Sequence, residues 1–295
     1  MPAPLAFHHP TSVEAAVALL AEHGDEAKIV AGATALTILM RQRLVAPSVL
    51  VSIGSIPGLD GIEEADGEIR IGAMVRHRDV ELSELIRSRI PVLAATFGTV
   101  ANVRVRNAAT VGGVLAESDY ASDPPAVFLA LDAEVLVQGP RGSRRIPVRE
   151  FFVAFYETAL EPDEIVVGIA VPIPPAGSAA GYHKFVTRSS EDRPCVGVAC
   201  LVRLAADGTS ADLRVAVGAA AETPQRFPDV EALAAGRPLE TELIGRIADD
   251  YAAAIDTLDD MRGSAWYRTE MVKVWVRRAI EAARDEAAAG SAGRS

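Results

Sequence analysis

Residues 27–53 read AKIVAGATALTILMRQRLVAPSVLVSI, and this stretch decides the first part of the fold. Residues 27–32 form an apolar run that ends in small side chains, and residues 34–44 carry leucine and methionine at helical spacing. Residues 49–53 form a second short apolar run, of the kind typical of a buried strand. The pattern predicts a strand, a tight turn, a helix and a second strand, which together make a βαβ unit.

The sequence around this unit predicts an α+β fold in two domains. Upstream, a capped helix begins near Val13 and ends before Gly24. Downstream, short strands and helices alternate, with a helix predicted over residues 125–131 and strands over 134–137 and 165–171. The first domain is therefore predicted to span residues 1–175, with a βαβ part over 1–58 and a larger mixed part over 59–175.

The second domain is predicted over residues 176–288. It follows a proline-rich linker, residues 172–178, in which a regular strand ladder is not expected. Its predicted elements are strands over 196–204 and 213–217, forming a β-meander, and helices over 240–254 and 267–288. The small polar residues 289–295 are predicted to be a flexible tail.

Composition excludes several classes of function. The formal net charge is −11 and the pI is near 5.0, so nucleic acid is not an expected partner. No apolar run approaches the ~18 residues of a membrane span, and the N-terminus lacks the pattern of a signal peptide. Cys195 and Cys200 are the only cysteines, too few for a cluster with four thiolate ligands, and no metal site is expected. A cytoplasmic protein is predicted.

Two glycine-containing segments are the candidate binding loops. The first, Ile29-Val30-Ala31-Gly32-Ala33-Thr34-Ala35-Leu36, turns from the strand into the helix and leaves backbone N–H groups free to bind a pyrophosphate. The second, Thr110-Val111-Gly112-Gly113-Val114, offers a hydroxyl and a glycine pair that tolerates positive φ. Each segment alone is more simply explained as an ordinary turn, with Asp123 downstream as an N-capping residue.

The two loops together resemble those of the medium, FAD-binding subunits of molybdenum hydroxylases, such as aerobic carbon monoxide dehydrogenases, and the flavin domain of xanthine dehydrogenase. Members of this family commonly carry an Ala-Gly-Gly-x-x-Leu loop, a later Thr-Ile-Gly-Gly loop and an Asp beyond it. The similarity extends along nearly the whole chain. It includes residues 104–113, 129–133, 182–185, 264–268 and 276–279.

The resemblance implies a flavin fold of the vanillyl-alcohol-oxidase type followed by an α+β domain, and it implies roles for particular residues. Segment 29–36 would line the FAD pyrophosphate, and segment 110–114 would cross the other side of the phosphates. Asp123 would contact the flavin half, and the backbone at Ile165 and Val166 would border the isoalloxazine ring. Lys184 would lie near that ring, where a cation stabilises the reduced flavin. Without the resemblance, a solvated lysine is the simpler interpretation.

Three positions depart from the family pattern. Ala33 stands where a second glycine is usual, Val114 replaces a polar residue, and Tyr120 occupies a position where proline is frequent. The flavin is expected to remain bound despite these changes. His8 and His9 are not expected to attach it covalently, since the family holds FAD non-covalently.

The resemblance further implies an electron-transfer subunit with no catalytic acid or base of its own. A large subunit would carry the molybdenum cofactor and a small subunit two [2Fe–2S] clusters, in a dimer of heterotrimers. Electrons would pass through the flavin to an external acceptor such as NAD or a quinone. Two alternatives stay open: a stand-alone FAD-dependent oxidase or reductase with the same fold, and a non-enzymatic scaffold in which both loops are only turns.

Overall fold

The computed structural model describes residues 5–292 of the chain, with side chains through residue 290. These residues form two compact units. The first unit comprises the chain through Val80 together with Asn102–Ser118 and Ala133–Val171. The second comprises Glu81–Ala101, Asp119–Asp132 and the chain from Pro172 onward. Each unit is therefore assembled from separated stretches of sequence.

The helices and strands alternate along the chain. The strands are β1 (Ala6–His8), β2 (Ala27–Val30), β3 (Val49–Ser52), β4 (Ile62–Ala65), β5 (Glu68–Gly72), β6 (Glu134–Gly139), β7 (Gly142–Pro147), β8 (Phe152–Ala154), β9 (Glu157–Thr158), β10 (Ile165–Pro172), β11 (Ser178–Phe185), β12 (Val196–Leu204) and β13 (Ser210–Gly218). The α-helices are α1 (Val13–His23), α2 (Leu36–Arg41), α3 (His77–Leu82), α4 (Glu84–Arg89), α5 (Pro91–Thr99), α6 (Val103–Arg106), α7 (Val111–Glu117), α8 (Pro124–Ala130), α9 (Val148–Phe151), α10 (Pro228–Glu231), α11 (Thr241–Ala254) and α12 (Ala265–Ala292).

The first unit contains two main sheets. In the smaller one, strand β3 lies between β1 and β2 and pairs in parallel with both. Helix α1 packs beside it, and its buried side chains Val17 and Leu20 join Val51 in the core of this part. The larger sheet has the strand order β4-β5-β10-β6-β7, so β10 is its central strand. The predicted βαβ unit is confirmed, and all strands of the larger sheet lie between residues 59 and 175, where the larger mixed part is predicted.

The second unit is built around an antiparallel meander, β11-β12-β13. Helices α11 and α12 cover one core of buried aliphatic residues, which includes Val198, Ile247 and Val276. The meander and both predicted C-terminal helices are confirmed, and β11 is an additional strand at the beginning of the meander. Helix α12 continues to Ala292, so residues 289–292 are helical where a flexible tail was predicted, and residues 293–295 of that tail lie outside the described residues.

Local differences from the predicted elements have local causes. The helix predicted over residues 34–44 is shorter, since α2 spans only Leu36–Arg41 and Arg43 adopts a left-handed φ of 58°. Helices α3 and α4 are separated at Ser83, which caps α4 by accepting a hydrogen bond from the Ile86 amide. Among the described residues, no helix is long and apolar enough to cross a membrane.

Candidate functional site

The first candidate loop joins β2 to α2 through a strained turn. Ala33 has a φ of 57°, in the left-handed region that non-glycine residues rarely occupy. This is the position where the resembled family usually has its second glycine. The turn therefore keeps the backbone shape that a glycine would favour, although the side chain is a methyl group.

The same loop presents a run of free backbone donors. Within the described part of the chain, the N–H groups of residues 32–36 donate to no protein acceptor, while the Ala33 and Ala35 carbonyls accept bonds from the first turn of α2. Successive unpaired N–H groups in a turn with left-handed backbone form an anion-binding concavity. The loop consequently has the donors that a pyrophosphate requires.

Gly32 holds the first loop against the segment that leads into the second. A Cβ atom at this position would lie 2.0 Å from the Ala108 carbonyl oxygen and 3.0 Å from the Ala109 Cα. Only a residue without a side chain permits this approach of two backbones. Gly32 thus brings the two candidate loops into direct contact within the first unit.

The second candidate loop is the start of helix α7. Thr110 is its N-cap and is buried, and its hydroxyl accepts a hydrogen bond from the Gly113 amide at 3.2 Å. The Val111 and Gly112 amides donate to the Val75 and Ala73 carbonyls, at 2.9 and 2.8 Å. With Val114 bonded to the Thr110 carbonyl, the amides of residues 111–114 are all occupied by protein acceptors.

The reason given above for the glycine pair is therefore wrong, because neither glycine has a positive φ. Gly112 is glycine because a Cβ there would lie 2.6 Å from the Ala73 Cβ. Gly113 is half-buried, and its Cβ would meet only the Thr110 hydroxyl, at 2.9 Å. Gly112 therefore permits close packing on Ala73. At Gly113, the absence of a side chain leaves the backbone of the first helical turn uncovered.

A buried histidine contacts the backbone of the second loop and of the residue before it. The His77 ring is 2 % exposed, its Nε2 lies 3.2 Å from the Thr110 carbonyl oxygen, and its amide donates to Ala109. Burial lowers the pKa of His77 to about 4; the bond to Thr110 opposes this shift and the charge of Arg106 adds to it. The imidazole is therefore neutral where the loop is intact.

This histidine predicts acid sensitivity of the first unit. Between pH 6.5, near the ordinary pKa, and pH 4 the unfolded chain binds a proton that the native protein does not. Stability is then expected to fall as pH is lowered through this window, by about 3 kcal/mol in total. Urea denaturation of the native protein and of His77→Asn, at roughly pH 7, 6, 5 and 4, measures how the free energy of unfolding of each depends on pH. A native curve parallel to that of the variant would contradict the expectation.

Ile165 and Val166 lie at the start of β10, the central strand of the larger sheet. They pair with Gln138 and Val137 of β6, and their side chains are 3 % and 5 % exposed. A register shift follows Val166, and the next carbonyl, that of Val167, accepts a hydrogen bond from Ala73 at 3.0 Å. The backbone of Ala73 therefore links this strand to Gly112. Because the Ile165 and Val166 side chains are buried, these two residues could border a ligand only with backbone atoms.

In the second unit, Asp123 and Lys184 contact each other. The Lys184 ammonium donates to Asp123 Oδ2 and to the Thr99 carbonyl, both at 2.9 Å, and the Tyr182 hydroxyl donates to Asp123 Oδ1 at 2.7 Å. The side chains of Lys184 and Asp123 are only 8 % and 4 % exposed. Burial raises the pKa of Asp123, and the Lys184 charge and both hydrogen bonds oppose that shift.

This group changes two of the simpler interpretations. Asp123 starts α8 but its carboxylate makes no capping bond, and Lys184 is buried rather than solvated. Tyr182 and Thr99 were not foreseen as members. Period-2 alternation places Tyr182 and Lys184 on one face of β11, but only tertiary structure brings α5 and α8 to that face.

The residues of the first unit fit an FAD molecule at its pyrophosphate. The unpaired amides of residues 32–36 supply donors, and Gly113 offers surface without a side chain beside the paired second loop. Among the described residues, no group of three or more His, Cys, Asp or Glu side chains could hold a metal ion. Cys195 and Cys200 are buried free thiols.

Comparison with known proteins gives matches along nearly the entire chain. Residues 3–174 match the family model described as the FAD binding domain in molybdopterin dehydrogenase, and residues 181–283 match the CO dehydrogenase flavoprotein C-terminal domain. The nicotine 6-hydroxylase medium subunit of Paenarthrobacter nicotinovorans is 37% identical, over 93% of this chain and 95% of its own. The alpha subunit of the 6-hydroxypseudooxynicotine dehydrogenase complex from the same organism is 35% identical, over 91% and 90%.

A solved structure shows the same fold. A chain of the carbon monoxide dehydrogenase from Hydrogenophaga pseudoflava superposes with a TM-score of 0.92 at 36% sequence identity. The match covers 96% of this chain and 98% of that one. The similarity thus includes both predicted domains, while the position of the boundary near residue 175 stays a prediction.

Proposed function

We propose that this chain, which belongs to the family of FAD-binding medium subunits of molybdenum hydroxylases, relays electrons from a partner subunit to an external acceptor. The chain is a subunit of an oxidoreductase of this type. A bound flavin would supply the redox chemistry, since it accepts and donates electrons without a protein acid or base at the reacting atoms. The residues of this chain would bind it, orient it and set the charge around it.

The main observation behind the proposal is the series of unpaired backbone N–H groups in the first loop. The amides of residues 32–36 would bind the pyrophosphate, with the donors fixed in advance by the turn at Ala33. The amides of residues 111–114 are paired within the protein, so they are not available as donors to the phosphates. In the second loop, Thr110 and Gly113 would therefore contact the phosphates by van der Waals packing. Val111, Gly112 and Val114 would support these two residues from the buried side.

The other flavin contacts are proposed on the family resemblance. The backbone at Ile165 and Val166 would border the isoalloxazine ring, and Asp123 and Lys184 would contact the flavin half of the ligand. Their burial as an ion pair fixes the position of each group relative to the other but does not itself identify the ligand. No acid or base of this chain is assigned a catalytic role.

The partners follow from the same proposal. A large subunit with the molybdenum cofactor would oxidise the substrate, and a small subunit with two [2Fe–2S] clusters would deliver electrons to this chain. A dimer of heterotrimers in the cytoplasm, with NAD or a quinone as acceptor, is the assembly we expect. The substrate would be chosen by the large subunit, so this chain does not define it.

The identity of the flavin tests the proposed site. FAD rather than FMN is expected, because the pyrophosphate that the first loop would bind occurs only in the dinucleotide. The chain is purified gently, denatured, and the released flavin is identified by chromatography. Release of FMN alone, or a colourless protein that takes up no FAD on reconstitution, would contradict the assignment.

Activity measurements on the isolated chain distinguish an electron-relay subunit from a stand-alone oxidase. With FAD bound, it is expected to pass electrons from a chemical reductant to an artificial acceptor and to oxidise no organic substrate or carbon monoxide. Turnover of a substrate by this chain alone would favour the stand-alone flavoenzyme.

A further inference from the structure

The buried polar group of the second unit contains one residue that the proposed function leaves without a role. Tyr182 lies two positions before Lys184 on β11, and both reach Asp123, one to each carboxylate oxygen. The residues between and after them, His183 and Phe185, lie near Trp275 of α12, with ring centroids 6.1 and 5.6 Å away. One face of β11 is therefore polar and the other is packed with aromatic rings.

The position of the Tyr182 ring depends on a glycine in the neighbouring strand. Gly197 of β12 is opposite Lys184 in the sheet register. A Cβ at Gly197 would lie 2.3 Å from the Tyr182 hydroxyl oxygen and 3.0 Å from the ring carbon that bears it. The phenol thus occupies the space of the missing side chain, and its hydroxyl has a defined direction toward Asp123.

We propose that Tyr182 is a positioning residue of the flavin site, whose phenol, lying on Gly197, holds the Asp123 carboxylate against Lys184 and keeps the two charges paired. The inference rests on the proposed function, in which Asp123 and Lys184 contact the flavin half. A paired Asp123 and Lys184 add no net charge to their surroundings. If Asp123 were neutral, Lys184 would contribute one uncompensated positive charge in a buried region.

The charged groups around Asp123 determine the direction of the effect. Tyr182 and Lys184 face it from β11, α5 contributes the Thr99 carbonyl, and Arg193 acts on it from the segment after β11. Arg193 is itself paired with Asp119. Without the Tyr182 hydroxyl, the buried carboxylate loses one of its two hydrogen-bond donors, so it binds a proton at higher pH than in the native protein.

The first measurement needs no flavin. In protein labelled with 13C at aspartate carboxyl groups, the Asp123 resonance is assigned by its absence in Asp123→Asn. We expect it to titrate at higher pH in Tyr182→Phe and in Gly197→Ala, which displaces the same ring. Tyr251→Phe is the matched control, because the Tyr251 hydroxyl donates a hydrogen bond to another carboxylate, that of Glu231. An Asp123 titration unchanged in both variants would overturn the proposal.

The second measurement uses the full-length protein loaded with FAD. The midpoint potential is recorded against pH by spectroelectrochemistry. Asp123→Asn is expected to shift it upward at every pH, whereas Tyr182→Phe and Gly197→Ala shift it upward only as pH falls, and Tyr251→Phe shows no such trend. If the Asp123 titration shifts in these variants but the midpoint potential of the flavin does not, the positioning role of Tyr182 is refuted. The proposed function would still stand in that case, provided that the variants retain FAD.

Discussion

Gly32→Ala is expected to separate the two loops and release the flavin. The added Cβ would lie 2.0 Å from the Ala108 carbonyl oxygen, a backbone atom that cannot rotate away. Forcing a methyl group into such a contact costs about 3 kcal/mol of stability. Because the first loop must move, flavin affinity is expected to fall by roughly tenfold or more. Urea denaturation and the FAD absorbance retained after gel filtration measure the two effects.

The same substitution at another glycine of the first unit is the control. Gly61 is exposed, has no positive φ, and a Cβ there would meet nothing within 4 Å. Gly61→Ala should therefore keep native stability and native flavin content. Equal behaviour of the two variants would show that the contact between Gly32 and Ala108 does not matter for binding.

Gly113→Asp is expected to abolish flavin retention in a protein that still folds. Gly113 is half-buried in the first turn of α7, where an acidic residue interacts favourably with the helix dipole. If the phosphates lie beside it, the carboxylate repels them, at a cost of at least about 2 kcal/mol or roughly 30-fold in Kd. Flavin content is measured by absorbance, and folding by circular dichroism.

A neutral side chain of the same shape isolates the charge. Gly113→Asn places nearly the same volume at the same point, so it should retain more flavin than Gly113→Asp, and its advantage should shrink at high salt. Native flavin occupancy in Gly113→Asp would remove the second loop from the site. Gly112→Asp is a different case, since Gly112 packs on Ala73 and that variant is expected to unfold.

Local patterns in the sequence were sufficient for the main elements of the fold. The βαβ unit followed from apolar runs of strand length on both sides of a helical period, and the meander from further runs of strand length beyond the proline-rich linker. The division into compact units could not be predicted, because segments 81–101 and 119–132 join the second unit through contacts distant in sequence. Neither periodicity nor composition records such contacts.

The sequence identified both loops of the candidate site, but it predicted the reason for the first loop better than for the second. The first loop could be found because small residues at a strand-to-helix turn leave amides free. The second loop was found for a reason that the structure corrects, since neither of its glycines has a positive φ and Gly112 permits close packing on Ala73. The ion pair of Asp123 with Lys184 could not be derived, because the carboxylate and the ammonium lie on different elements, α8 and β11.

The central claim is that this chain is the flavin-carrying relay of a larger enzyme, and metal analysis of the natively purified protein tests it most directly. The chain should copurify with two other polypeptides, and the preparation should contain molybdenum and iron in stoichiometric amounts alongside FAD. Substrate oxidation should then reduce the flavin. A preparation that turns over substrate with stoichiometric flavin, but contains neither molybdenum nor iron, would contradict the relay.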